Sequence, residues 1–101
     1  MSDHSEIHSR ADEVARTLSA LANPRRLQIL CHLISAGETN VTGLAGPSGL
    51  SQSALSQHLK LMRAEGLVRS RKAGLNVFYA IADQRVADLV ASLERIYCAE
   101  R

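Results

Sequence analysis

The segment that follows Ser51 constrains the fold most, because a helical pattern there runs directly into two short strand patterns. Ser51 has the side chain of a helix N-cap, and we expect a helix over residues 52–65. The next residue, Gly66, is typical of the position just past a helix C-terminus. Segments 67–71 and 77–81 then have the composition of short strands. The sequence therefore predicts a helix followed by a β-hairpin.

Other helices surround this segment. Four further helices are predicted from apolar residues at steps of three and four and from helix caps. They cover residues 7–21, 24–36 and 42–48, and the last one begins after Asp83. Thr42 is the expected cap of the third helix, and the strands are expected to be joined by a loop over residues 72–76. The predicted fold is mainly α, with four helices, a two-stranded β-hairpin wing and a last helix, which is the order of a winged helix-turn-helix.

Length and composition favour one compact domain. The chain has 101 residues, of which 46% are hydrophobic, so we expect a single domain over residues 1–101 with residues 1–6 disordered. The polar N-terminus does not resemble a signal peptide, and no apolar stretch is long enough to span a membrane. Two cysteines are too few for a disulfide scaffold. We therefore expect a cytoplasmic protein with no membrane partner.

The charge is unevenly distributed along the chain. Residues 39–82 carry five bases and one acid, a net charge of +4, whereas residues 1–38 and 83–101 each carry a net charge of −1. A basic centre of this kind favours a polyanionic partner. On its own it is equally compatible with a solvated surface.

The helix after Ser51 presents short polar side chains that suit the edges of DNA bases in the major groove. The candidates for reading bases are Gln52, Ser53, Ser56, Gln57 and His58. The candidates for binding phosphates are Ser51 and Ser53 at the helix start, Lys60 and Arg63. The hairpin bases Arg69, Arg71 and Lys72 are expected along the neighbouring backbone or the minor groove, and Asn76 is a further candidate for contacting DNA. The same residues could simply keep an exposed helix soluble, but the basic hairpin that follows favours binding to double-stranded DNA.

Three motifs resemble the ArsR/SmtB family of transcriptional repressors. They are NPRRLQIL at residues 23–30, LSQSALSQHL at 50–59 with the following LxRxEGLV, and NVFY at 76–79. The resemblance covers about residues 8–98. It implies a homodimer paired through the first and last helices, and binding to operator DNA that an effector relieves.

Many members of that family bind metals, and the resemblance shows where their ligands would stand. The helix over 42–48 has no cysteine, and Asp83-Gln84-Arg85 keeps the aspartate but lacks the histidine. Ile96 and Ala99 occupy the positions of the later ligands. We therefore expect no metal at the family's sites and no cofactor. His4 and His8 could share a helix face, but solvation is the simpler interpretation.

Cys31 and Cys98 are the remaining candidates for sensing. Each has a simple structural explanation, Cys31 as a small core residue and Cys98 as a residue at a frayed helix end. As a pair they resemble the dithiol subgroup of the family, which implies sensing of reactive sulfur species or oxidants through a disulfide or polysulfide bridge. Arg26, His32 and Arg95 are candidates for lowering the pKa of a thiol.

Four other interpretations stay open, one of which is a module that binds only other proteins and would show no salt-dependent affinity for DNA. The protein could regulate transcription without thiol chemistry, as a derepressor or a virulence regulator, or it could sense a metal at a non-standard site. A cysteine-based thiol transferase is disfavoured because the chain has no Cys-x-x-Cys and no βαβ pattern around either cysteine. We therefore expect that the protein is not an enzyme.

Overall fold

The computed structural model describes residues 4–98 of the chain. Its helices and strands follow one another in the order of a winged helix-turn-helix. They are α1 (His4–Ser9), α2 (Ala11–Leu21), α3 (Pro24–Ala36), β1 (Thr39–Asn40), α4 (Val41–Ser48), α5 (Gln52–Ala64), β2 (Val68–Ala73), β3 (Asn76–Ile81) and α6 (Gln84–Tyr97). The predicted fold class, mainly α with a hairpin wing, is confirmed.

The first predicted helix is divided in two. The amide of Arg10 donates to the carbonyl of Ile7 at 3.2 Å, a bond from residue i to i−3 rather than i−4, and α1 ends there. The helical path resumes at once, since Val14 donates to the carbonyl of Arg10 at 3.0 Å. Residues 4–6, for which we expected disorder, lie in α1, and residues 1–3 lie outside the described residues.

Local capping explains where α3 begins and ends. The side chain of Asn23 accepts hydrogen bonds from the amides of Arg25 and Arg26, at 2.9 and 3.1 Å, and Pro24 occupies the first helical position. Gly37 then takes a φ of +80°, which a residue with a side chain rarely adopts. Both boundaries agree with the sequence prediction.

The cap predicted for α4 is wrong. The helix begins at Val41, and the side chain of Asn40, not of Thr42, accepts the amide of Gly43 at 2.9 Å. A Cβ atom at position 43 would overlap the hydroxyl of Thr39, so a larger residue there would force the Thr39 side chain to move.

The hairpin is longer than predicted and its loop is shorter. Ala73 pairs with Asn76 across the two strands, which leaves only Gly74 and Leu75 in the loop. Lys72, Ala73 and Asn76 are therefore strand residues rather than loop residues. The short strand β1, which the sequence did not predict, pairs antiparallel with β3 and gives the sheet the order β1-β3-β2.

The core is centred on α3. Fully buried side chains from α3, α4, α5 and α6 pack together, and each contributes about 1.5–3 kcal/mol of transfer free energy. They are Ile29, Leu30, Leu33, Leu44, Leu55, Leu59, Met62 and Val86. α5 packs against α4 and β2, and its polar side is left on the surface. Within residues 4–98, no helix has the length and apolar character needed to cross a membrane.

Candidate nucleic-acid interface

The polar face of α5 is open to solvent. Its apolar residues Leu55, Leu59 and Met62 are buried against the core, so residues at other helical positions point outward. Among the predicted DNA-binding residues of this segment, the exposed ones are Ser51, Gln52, Ser53, Ser56, Gln57, Lys60 and Arg63. His58 is half-buried at the edge of that face.

Ser51 already has a structural role. Its hydroxyl oxygen accepts a hydrogen bond from the amide of Ala54 at 3.1 Å and so caps α5. The hydroxyl proton can still be donated to an acceptor such as a phosphate oxygen. The start of α5 is therefore an ordered helix N-terminus with exposed serines beside it.

The turn between α4 and α5 is held by Ser48. The buried hydroxyl of Ser48 donates to the carbonyl of Ala45 at 3.0 Å and accepts from the amide of Leu50 at 3.1 Å. Gly49 takes a φ of +71°, the left-handed conformation that reverses the chain after a helix. These contacts set the angle at which α5 leaves α4.

The hairpin places Arg69, Lys72 and Asn76 at the surface. Arg71, a predicted phosphate contact, instead forms a bidentate ion pair with Glu38, in which both N–O distances are 2.8 Å. Its guanidinium also lies 4.9 Å from the centre of the Phe78 ring.

The Arg71–Glu38 pair changes the charge of the wing. The hydrogen bond from Arg71 lowers the pKa of Glu38, so the carboxylate stays charged and compensates the arginine. Sequence reasoning missed Glu38 because the partners are 33 residues apart and no local pattern connects them. Arg69 and Lys72 remain as exposed bases of the hairpin.

The two cysteines lie on different helices. Cys31 is half-buried on α3, and Cys98 is exposed at the C-cap of α6, where its amide donates to the carbonyl of Glu94 at 2.8 Å. Burial raises the pKa of the Cys31 thiol, and the negative charges of Glu94 and of a Cys98 thiolate raise it further. α3 and α6 contact each other, so the two cysteines lie on neighbouring helices.

The expectation that Arg26, His32 or Arg95 lowers the pKa of a thiol is wrong for Cys31, because the pKa of that thiol is raised. Two of the three have other partners. Arg26 forms an ion pair with Glu65 at 2.8 Å, and Arg95 donates to the hydroxyl of Ser92 at 2.9 Å.

Large apolar side chains are exposed on α1, α2 and α6, and we call this set the apolar seam. Four of its side chains are large and mostly exposed, with relative exposures of 61%, 51%, 69% and 78% for Ile7, Leu18, Ile96 and Tyr97. An ion pair joins two of these helices, since Arg85 at the start of α6 binds Glu13 on α2 at 2.8 Å.

Comparison with known proteins identifies the family. Residues 23–70 match the profile of the family described as "Bacterial regulatory protein, arsR family". Over 98 residues the chain is 37% identical to the HTH-type transcriptional regulator YgaV of Escherichia coli, spanning 97% of this chain and 99% of that protein. The chain belongs to the arsR family.

Other members of the arsR family are similar over most of the chain. The transcriptional activator HlyU of Vibrio cholerae is 43% identical over 93 residues, which span 92% of this chain and 85% of HlyU. The structure of the transcriptional repressor BigR from Xylella fastidiosa superposes with a TM-score of 0.90 at 35% identity, covering 96% of this chain and 98% of BigR. These relatives are DNA-binding transcriptional regulators rather than enzymes, as the sequence predicted.

Among the described residues, no group of three or more His, Cys, Asp or Glu side chains is placed to hold a metal ion. At the start of α6, Arg85 donates to Asp83 at 2.9 Å, so this carboxylate is bound to a guanidinium. The side chain of His4 and residue Ala99 lie outside the described part of the chain.

Proposed function

We propose that this protein is a homodimeric operator-binding repressor that releases DNA when Cys31 and Cys98 become linked through sulfur. The thiol part is supported by the contact between α3, which carries Cys31, and α6, which ends at Cys98, and the charge of Cys98 also acts on the pKa of Cys31. Membership of the arsR family carries the DNA-binding part. One of the solved HlyU structures is of the reduced protein.

In the proposed complex, α5 enters the major groove. Gln52, Ser53, Ser56 and Gln57 are exposed on its outer face and supply hydrogen-bond donors and acceptors for base edges, with His58 at the margin. The proposed phosphate contacts lie on α5 and on the hairpin and are Ser51, Lys60, Arg63, Lys72 and Asn76. Arg71 joins them once its ion pair with Glu38 is broken. Alanine substitution at Gln57 is expected to relax sequence preference, whereas substitution at Lys60 weakens binding to all sequences.

In the proposed dimer, the exposed apolar seam of α1, α2 and α6 is covered by a second copy. Burial of these large apolar side chains is favourable. Because proteins of the arsR family are typically dimeric, the proposed partner is a second copy of the chain. Two α5 helices then meet successive major grooves about 34 Å apart.

The proposed thiol chemistry uses a reactive sulfur species or another oxidant, and a persulfide illustrates the steps. A cysteine thiolate attacks the outer sulfur of a persulfide R–S–SH, a new S–S bond forms and the thiolate RS⁻ leaves. The second cysteine then attacks the sulfur of the first cysteine, a Cys31–Cys98 disulfide forms and hydrosulfide leaves. A disulfide needs Cα atoms within about 7 Å, and a longer sulfur chain formed by further transfers bridges a wider gap.

A link between α3 and α6 would act on DNA through the dimer. α3 is joined to α5 through α4 and through the Arg26–Glu65 ion pair, and α6 carries part of the exposed seam. Because DNA half-sites have a fixed spacing, a small rotation of α6 relative to α3 changes the separation of the two α5 helices and lowers affinity.

Mass spectrometry tests this proposal. Separate samples of the protein are treated with glutathione persulfide, glutathione disulfide and peroxide, digested, and searched for a peptide that links Cys31 to Cys98. A linked peptide that forms in parallel with loss of DNA binding is the expected result. The proposal would be contradicted if the treated wild type released DNA without forming this link. It would also be contradicted if the Cys31→Ser and Cys98→Ser variants released DNA to the same extent as the wild type.

A second candidate is regulation without thiol switching, as a repressor, derepressor or virulence regulator. The raised pKa of Cys31 favours it, because a smaller thiolate fraction slows attack on any sulfur or oxygen electrophile. A non-standard metal site belongs to the same alternative. Titration of metals into the wild type and a Cys31→Ser/Cys98→Ser variant, followed by DNA binding, distinguishes the metal-dependent form from the others.

A further inference from the structure

The apex of the hairpin is unusual in its composition. Gly74 and Leu75 form the whole loop, and Gly74 has a φ of +63° while no other residue type in the described chain has a positive φ. A positive φ at the first loop residue followed by a negative φ at the second is typical of a type II′ turn. In such turns the residue after Gly is commonly Asn, Ser or Asp. The turn itself therefore gives no reason for a leucine at position 75.

The fold gives no reason either. Leu75 has a relative exposure of 102%, so its side chain contacts water on all sides, and Val77 on the neighbouring strand is also exposed. Burial of a leucine side chain is favourable, and this one contributes nothing of that kind to the folded monomer.

The surroundings of Leu75 indicate what could cover it. The hairpin, residues 68–81, contains three bases and no acid. Arg71 is compensated by Glu38, but Lys72 and Arg69 are exposed on the same strand. An apolar tip with cations behind it and no carboxylate in the hairpin fits a groove that has anionic walls and a less polar floor.

The minor groove of DNA has that chemistry. It is about 6 Å wide, phosphates form its walls, and sugars and base edges form its floor. Leucine is among the apolar side chains that proteins insert there. The hairpin follows α5 directly through Gly66 and packs against it, so the tip projects from the same body that presents the polar face of α5.

We propose that Leu75 enters the minor groove beside each half-site while Lys72 binds a phosphate on its wall. This inference rests on the DNA docking proposed above. Guanine carries an amino group in the minor groove and adenine does not, so an inserted leucine favours A·T over G·C pairs at the position it reaches. Leu75 would then determine sequence preference outside the bases that α5 contacts.

The test uses duplexes that the wild-type protein selects from a randomised pool. Leu75→Ser suits the turn and removes the apolar side chain, and thermal unfolding confirms that it folds. We expect affinity to fall about tenfold for each wing, with an unchanged salt dependence, because no charge is lost. The matched variant Lys72→Ala is expected to reduce the slope of log K against log salt by about 0.9 for each wing.

A base substitution separates groove contact from other causes. The A·T pairs at the edge of the selected site are replaced by G·C or by inosine·cytosine, which has the major-groove pattern of G·C but lacks the amino group in the minor groove. The wild type is expected to bind the A·T and inosine duplexes alike and the G·C duplex more weakly, and Leu75→Ser is expected to bind all three alike.

The outcomes distinguish this inference from the docking on which it rests. If Lys72→Ala and Gln57→Ala weaken binding and Leu75→Ser does not, the role of Leu75 is refuted and the docking stands. If none of the three weakens binding, the docking itself is refuted. Loss of binding to phosphatidylserine vesicles by Leu75→Ser, with DNA affinity unchanged, would assign the tip to a lipid surface and overturn the inference.

Discussion

The guanidinium of Arg26 and the carboxylate of Glu65 form a bidentate pair, with N–O distances of 2.8 and 3.1 Å, across 39 residues of sequence. Arg26 lies in the first turn of α3, and Glu65 is the C-cap of α5. Only 16% of the Arg26 side chain is exposed, against 45% for Glu65. The pair therefore connects the central core helix to the end of the helix that carries the candidate base contacts.

Removal of either partner is expected to have unequal effects on stability. Glu65→Gln should lower the free energy of unfolding by less than about 1 kcal/mol, because the carboxylate is partly exposed. Arg26→Ala also removes the packing of its buried stem and should cost about 1–2 kcal/mol. Chemical denaturation measures both, and Arg25→Ala, an exposed neighbour on the same helix, is the control. Equal losses for Arg25→Ala and Arg26→Ala would show that the pair contributes nothing specific.

Glu38 is expected to limit the affinity of the wing for DNA. Glu38→Gln removes the carboxylate that holds Arg71, so we expect tighter binding to DNA of mixed sequence. The slope of log K against log salt should become steeper by about 0.9 for each wing, as one more phosphate contact forms.

The control for Glu38→Gln is Asp12→Asn, which changes the net charge equally on the exposed side of α2. Fluorescence anisotropy across a salt series compares the two variants. If both steepen the slope to the same extent, the effect is one of net charge and the role of the Arg71–Glu38 pair is refuted.

The apolar seam is expected to be the dimer interface. Ile96→Glu places a charge where a second copy should pack, so sedimentation should show a monomer, and operator affinity should fall by roughly 100-fold as two linked half-sites become separate. Ala91→Glu introduces the same residue at another exposed position of α6 and should leave the dimer intact. A dimeric Ile96→Glu variant would contradict the proposed interface.

The junction of α2 and α6 is expected to weaken in acid. Hydrogen bonds from Arg10 and Arg85 lower the pKa of Glu13 to about 2, below its value of about 4.3 in an unfolded chain. Because the folded-state pKa is depressed, the stabilisation is complete above the unfolded pKa and is lost as the pH falls toward the folded one.

The difference in unfolding free energy between the wild type and Glu13→Gln should therefore shrink as the pH falls from about 4.3 to about 2. Since these charges are exposed, about 1 M salt should also reduce the difference at neutral pH. Denaturation at a series of pH values measures it, and a difference that is constant with pH would show that Glu13 does not contribute through its charge.

Elements with local signals could be predicted from the sequence. The ends of α3 are set by Asn23-Pro24 and Gly37, and those of α5 by Ser51 and Gly66. These ends are predictable because caps and positive-φ glycines act within a few residues. The exposed face of α5 follows from the same spacing, since its apolar positions fix the orientation of all the others.

Features that depend on distant partners could not be predicted. β1 has only two residues and exists through its pairing with β3, and Lys72 and Ala73 become strand residues because β3 continues opposite them. The ion pair of Arg71 with Glu38 likewise joins residues far apart in sequence, so the sequence assigned Arg71 to phosphate without detecting its carboxylate partner.

The central claim is that a sulfur link between Cys31 and Cys98 releases DNA, and operator affinity measured before and after glutathione persulfide tests it most directly. The wild type is expected to lose affinity on treatment and to regain it with a dithiol reductant, while Cys31→Ser and Cys98→Ser bind before treatment and remain bound after it. Wild-type affinity that persulfide leaves unchanged, or variants that release DNA as the wild type does, would contradict the claim.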